Sequence, residues 1–300
     1  MIKEYALDPS LLRSWKDLRY FLETMGVSRG RLISRYPKRW KALVYNGLSD
    51  EMGDTERKRI EEALNTINDK LFPRRGGWNH EVGWLENAEA EHARAPFAGI
   101  LSSDNPRSNS SVLLGDEISD SSAAWVATTQ IEIQRDPELM AEAVAPLLRN
   151  SREIFFVDPY FSPTTQRYTS TLAAFLLKTT RGGLDFPRVQ YLCKANGDSR
   201  FFSRNCMSEL PRFVPKGLDL EVVLLKEKLG GEKLHDRFIL TDRWGVQFSV
   251  GLDSHGPNEV TTTIVTLLTE DLWSTLYRKY VSEHPAFERA GSPIRIRGTA

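Results

Sequence analysis

The chain has 300 residues, 40% of them hydrophobic, and its 40 basic and 40 acidic side chains leave it formally neutral. That length can bury a sizeable core and predicts two domains, while the balanced charge excludes a global field that gathers nucleic acid or anionic membrane, so such a partner must be met by a local patch. With only Cys193 and Cys206 there is neither a disulfide framework nor a Cys-x2-Cys metal pair, which points to a reducing compartment.

The first residues, Met1-Ile2-Lys3-Glu4-Tyr5, lack the apolar core of a signal peptide. No stretch approaches the roughly 18 apolar residues of a membrane span, so the expected location is cytoplasmic. Residues 9–95 read as mostly helical: Asp8-Pro9 opens one helix running to about Met25, and Asp54 caps another from Thr55 to about Leu71. Between Gly26 and Ser49 the cations Arg29, Arg31, Arg35, Lys38, Arg39 and Lys41 are interleaved with Tyr36, Trp40 and Tyr45, and no acidic residue intervenes. Phosphate contacts from Arg35, Lys38 and Arg39, with stacking on the aromatics, suit a nucleic-acid strand. The alternative is a solvated basic helix whose Trp40 and Tyr45 face the core. Residues 102–122, rich in Ser, Asn, Asp, Pro and Gly, read as a linker. The expected division is a mainly helical N-terminal domain over 1–101, the linker over 102–122, and a C-terminal domain over 123–300.

Beyond the linker the pattern changes. Strands near 124–134, 153–158, 188–194, 219–225, 235–241, 246–251 and 260–267 alternate with helices near 137–149, 164–181, 200–213 and 270–282. Such alternation predicts an α/β sheet flanked by helices. Gly182-Gly183 and Gly230-Gly231 lack the Lys-Ser/Thr of a phosphate-binding loop and read as turns.

The segment Leu234-His235-Asp236-Arg237-Phe238-Ile239-Leu240-Thr241-Asp242 carries a histidine, a cation and a carboxylate at H-x-R-x4-D spacing. If it is a strand, alternation aims His235 and Arg237 at one face, with Asp242 on the opposite parity near a turn. A neutral imidazole attacks phosphorus, and a fixed guanidinium neutralises the non-bridging oxygens as charge builds. The alternative is a surface strand whose His, Arg and Asp make ordinary ion pairs.

Together with Gly251-Leu252-Asp253, and with Glu153-Ile154-Phe155-Phe156-Val157-Asp158-Pro159-Tyr160, this segment resembles the phospholipase D superfamily over roughly residues 123–285. It is similar to bacterial phospholipase-D-like proteins of the His-Asp-Arg-Phe type and to the phospholipase-D-like C-terminal domain of MIT-domain proteins, which are membrane-binding modules. The resemblance implies a mixed sheet and a metal-independent phosphodiesterase with His235 as nucleophile, Arg237 at the phosphate and Asp242 completing the motif. Superfamily enzymes use a downstream acid to orient the imidazole, and Glu259 stands at a plausible offset. The usual motif has Lys where Arg237 stands and Gly-Ser-x-Asn where Gly251-Leu252-Asp253-Ser254 stands, which makes Asp253 and Ser254 substrate-binding candidates. These enzymes bring two such histidines together, so one motif per chain implies a homodimer.

Ligand crevices in α/β sheets open at the carboxyl ends of strands, which adds Asp158 and Tyr160; their alternative is an Asp-Pro turn. His92 reads as the cationic end of a helix, and His80, His255 and His284 lack a companion motif. No His-Glu-x-x-His, acidic ladder or cysteine pair is present, so neither metal nor cofactor is expected. The expected function is a metal-independent nuclease, in the setting the resemblance implies an effector of bacterial anti-phage defence. Alternatives are an inactive module binding nucleic acid or phospholipid headgroups, and a scaffold whose helical domain docks a partner protein.

Overall fold

Lys3–Leu7 is too short for a helix, and its last three residues are consecutively buried, as a strand covered on both faces requires. In the computed structural model it forms β1 (Lys3–Leu7). The structure describes residues 1–67, 70–74, 76–119, 125–179, 186–256, 259–282 and 285–300, which fall into two units, Met1–Thr129 and Gln130–Ala300.

In the first unit β1 is followed by α1 (Trp15–Thr24), β2 (Arg31–Arg35), α2 (Trp40–Asn46), α3 (Asp54–Thr66), β3 (Leu71–Pro73), α4 (Trp84–Arg94), β4 (Gly99–Ser102) and β5 (Val112–Leu114). The five strands pair in parallel in the order β3-β2-β1-β4-β5. The expectation of a mainly helical domain is thereby corrected: the helices are there, but they cover a parallel sheet whose strands of three to five residues leave little periodicity to read. Asp8 caps a single 3-10 turn, Pro9–Leu11, and α1 starts only after Ser14, whose hydroxyl accepts from Asp17 N–H. Leu71, expected at a helix end, opens β3.

The supposed linker is also corrected. Its Ser/Asn/Asp run is a connection between parallel neighbours, closed by Asn105, whose side chain accepts from Asn109 N–H at 2.9 Å and donates to Asn109 O at 3.0 Å. Beyond it β5 pairs with β4. The division between units lies at Thr129/Gln130, and residues 120–124 lie outside those described.

The second unit runs β6 (Gln130–Gln134), α5 (Pro137–Arg149), β7 (Glu153–Val157), α6 (Gln166–Leu177), β8 (Arg188–Lys194), α7 (Ser199–Glu209), β9 (Asp219–Lys226), β10 (Phe238–Thr241), β11 (Gly245–Phe248), β12 (Thr262–Leu267), α8 (Glu270–Tyr280), β13 (Glu288–Arg289) and β14 (Ile294–Arg297). The expected α/β sheet flanked by helices is found. Its strands lie in the order β13-β9-β8-β7-β10-β11-β12-β6, with β14 also on β9. Strands β7, β8 and β9 are mutually parallel, and the other pairings are antiparallel. The alternation of β7 explains its near-continuous apolar sequence: Phe155 meets Tyr277 of α8 on one face, and Phe156 stacks on Phe175 of α6 on the other. Asp136 caps α5 by accepting from Glu138 and Leu139 N–H, with Pro137 in the first turn. Among the described residues no helix is long and apolar enough to cross a membrane.

Candidate active site

Because β10 runs antiparallel to β7, with Phe238 opposite Val157, the residues just after β7 and just before β10 meet at one end of the sheet. There Asp158, Tyr160 and Arg237 line a cleft of about 320 Å³ together with Arg135, Arg167, Tyr168 and Asp253. The Arg237 guanidinium lies 4.8 Å from the Tyr160 ring centroid. Its Nε is buried and has no hydrogen-bond partner among the described residues. An unsatisfied buried donor is uncommon and costly.

Both carboxylates are structural anchors of the cleft. Asp158 accepts from Tyr160 N–H and Leu252 N–H, each at 2.9 Å. Burial pushes its carboxyl above the ordinary range; those two N–H groups and Arg237 work against the shift, and Asp253 adds to it. Asp253 pairs with Arg135 at 2.6 Å and with Arg167 at 3.1 Å. Gly251 is required beside it, since a Cβ there would overlap the Asp253 carboxylate. Three guanidinium groups against two carboxylates leave the cleft with excess positive charge, which suits a phosphate diester.

The histidine arrives on a loop rather than on the strand. At the end of β9 Glu227 accepts from Lys194 at 2.8 Å, from Lys233 at 3.0 Å and from Leu234 N–H at 3.0 Å. Lys194, the Leu234 N–H and Lys233 hold its carboxyl down to about 2. His235 follows, exposed, with Nδ1 3.1 Å from Lys233 O and Nε2 3.4 Å from Asp236 Oδ1. A carbonyl and a carboxylate only accept, so each ring nitrogen of His235 faces an acceptor.

Several expected roles change. The expected strand over 235–241 begins at Phe238, so the shared-face argument for His235 and Arg237 does not apply, and His235 is not on the wall of the cleft. Asp242 lies at the other end of β10, about 16 Å along the chain from Arg237 at 3.3 Å per residue. There its carboxylate accepts from Arg152 and Glu153 N–H, a turn-closing role. Glu259 is exposed, with its carboxylate near Gly256; the carbonyl that orients His235 belongs to Lys233. Ser254 adjoins the cleft and donates N–H to Arg167 O at 3.1 Å.

The basic run lies in the first unit. Arg35 ends β2 and has a buried Nε without a partner among the described residues, whereas Lys38 and Arg39 are exposed in the turn before α2. Two of its three aromatics are closed to stacking: Trp40 is fully buried and donates to Leu7 O at 2.6 Å, and Tyr36 is buried too, while Tyr45 is half-buried against the core. His92 closes α4 and accepts from Phe97 N–H, and His284 lies outside the described residues. Arg135 and Arg167 had no local signal, because the contacts that place them span more than 80 residues of sequence. Among the described residues no group of three or more His, Cys, Asp or Glu is arranged to hold a metal ion.

No family model and no curated protein matches the sequence. Among solved structures, the crystal structure of a phospholipase D family member, Nuc from Salmonella typhimurium, is similar at 13% identity and a TM-score of 0.35, over 54% of this chain and 98% of that one. A likeness of that size carries no functional argument, and the chemistry rests on the residues themselves.

Proposed function

We propose that the second unit is a metal-independent phosphodiesterase acting on nucleic-acid strands, with His235 as nucleophile and Arg237 as phosphate ligand. One observation carries this reading: an exposed imidazole stands two residues from a guanidinium whose buried Nε lacks a partner among the described residues. Nε2 attacks phosphorus and forms an N–P bond as a P–O ester bond breaks. The leaving oxygen takes a proton from the His235 imidazolium of a second copy in a homodimer. Water, giving a proton back to that second imidazole, then hydrolyses the N–P bond. Arg237 and the excess positive charge of the cleft stabilise the charge that develops on the non-bridging oxygens.

The test is cleavage of single-stranded DNA and of bis(p-nitrophenyl) phosphate in EDTA. Wild type should turn over, His235→Ala should lose at least about a thousandfold, as loss of a nucleophile does, and Arg237→Lys should retain activity. Wild-type turnover no greater than that of His235→Ala on both substrates overturns the proposal.

A second reading, phosphate binding without turnover, is favoured by the position of His235 off the cleft wall. It requires that Arg237→Gln abolish binding while His235→Ala leaves it unchanged and no substrate is cleaved.

A further inference from the structure

Beside the Arg237 cleft lies a second depression of about 220 Å³, lined by Gln166, Arg167, Ser170, Ser254, His255 and Gly256. Arg167 belongs to the wall of both. Its Nε is held by Asp253 at 3.1 Å, yet its side chain is 49% exposed, and among the described residues its two terminal nitrogens make no hydrogen bond. The partition between the depressions is the segment after Gly251. Ser254 N–H donates to Arg167 O at 3.1 Å and His255 N–H donates to Arg135 O at 2.8 Å, which fixes the segment against α6 and the end of β6. Among the described residues no carboxylate belongs to the wall of the second depression, although that of Glu259 lies near Gly256 at its edge, whereas two line the first. Its side chains offer the donors of the Arg167 guanidinium and the Gln166 amide, while the His255 Nδ1 faces Gly256 O at 2.9 Å.

A ligand with a single phosphate in the first cleft leaves this second set of donors unused. Two phosphates in succession along one strand use both depressions, with the Arg167 guanidinium between them. The Tyr160 ring, 53% exposed at the mouth of the first cleft, offers a face on which a base can stack. We infer that the cleft continues across Arg167 into a second phosphate subsite faced by Gln166 and His255, so that the ligand is a nucleic-acid strand engaged at two successive phosphates. This inference rests on the phosphodiester reading of the first cleft.

Calorimetry on the full chain carrying His235→Ala, to prevent turnover, compares a thymidine dinucleotide with one internal phosphate and a trinucleotide with two. The second phosphate should tighten binding about tenfold or more, the size of one charge-assisted hydrogen bond. Adding Gln166→Ala and His255→Ala should remove most of that gain and leave the dinucleotide affinity unchanged. Equal affinity for the two oligonucleotides, or equal weakening of both by the added substitutions, overturns the inference. So does preference for phosphatidylglycerol vesicles over the trinucleotide. Turnover by wild type without the second-phosphate gain removes the subsite alone. The gain in a protein without turnover removes the catalytic reading and leaves the subsite standing.

Discussion

Replacing Asp253 with Asn should cost the second unit about 3 kcal/mol. The Asp253 side chain is 7% exposed and neutralises Arg135, itself 12% exposed, at 2.6 Å, and Arg167, 49% exposed, at 3.1 Å. Removing one partner of a buried ion pair costs roughly 3–5 kcal/mol because a charge is left behind uncompensated. The Arg167 contact is half in water and adds at most about 1 kcal/mol. Asn keeps an acceptor for the Arg135 N–H groups, which places the total near the lower end of the buried-pair range. For a unit of this size, each kcal/mol lowers the melting temperature by roughly 2–4 °C, so the transition should fall by about 6–12 °C in scanning calorimetry. Arg135→Gln in the same background should recover at least about 1.5 kcal/mol of the loss, because it removes the orphaned charge. A loss below about 1 kcal/mol, or strict additivity of the two changes, would refute the view that Asp253 holds the cleft together by charge.

Three other outcomes are expected. Glu227 is held down to about 2, below its ordinary 4.5, so the order it gives the His235 loop is complete above about pH 4.5 and is lost as pH falls towards 2. Exchange of the Leu234 amide, followed by mass spectrometry, should quicken over that window in wild type and already be fast at pH 7 in Glu227→Gln; identical profiles would exclude Glu227 as the tether. Gly251→Ala forces Asp253 to move and should cost roughly 1–3 kcal/mol in urea unfolding, whereas a neutral result would mean that the loop yields freely. Light scattering at micromolar concentration should report a dimer, and a strict monomer would leave the leaving oxygen without the second imidazole as its acid.

The elements of the second unit were largely legible because they are amphipathic or apolar and near average length. Helix α5 and strand β8 fall within the residues expected for them. The strands of the first unit were not, because Leu71–Pro73 and Val112–Leu114 are too short to show a period and sit beside strong helix and turn signals. Asp158, Tyr160 and Arg237, named from strand ends and motif spacing, and Asp253, named from the resemblance, line one cleft. What local rules could not reach was partnership at long range. The Asp242 carboxylate meets backbone N–H groups some 90 residues away in sequence, at Arg152 and Glu153. The group that orients His235 is a main-chain carbonyl, which residue identity does not encode.

The pairing of β7 with β10 also sets when the cleft can exist. Phe238 meets Val157 across some 80 intervening residues, Leu252 N–H reaches Asp158 across 94, and Arg135 reaches Asp253 across 118. Contacts of such separation are formed against the full entropy of loop closure, so they gather late as the chain folds. A chain in which only α5, α6 and the β7–β8 pair had formed would have part of the hydrophobic core but not the cleft. On the proposed reading, a phosphate bound in the finished cleft would act as a latch on the β7–β10 closure and by mass action would stabilise the completed sheet.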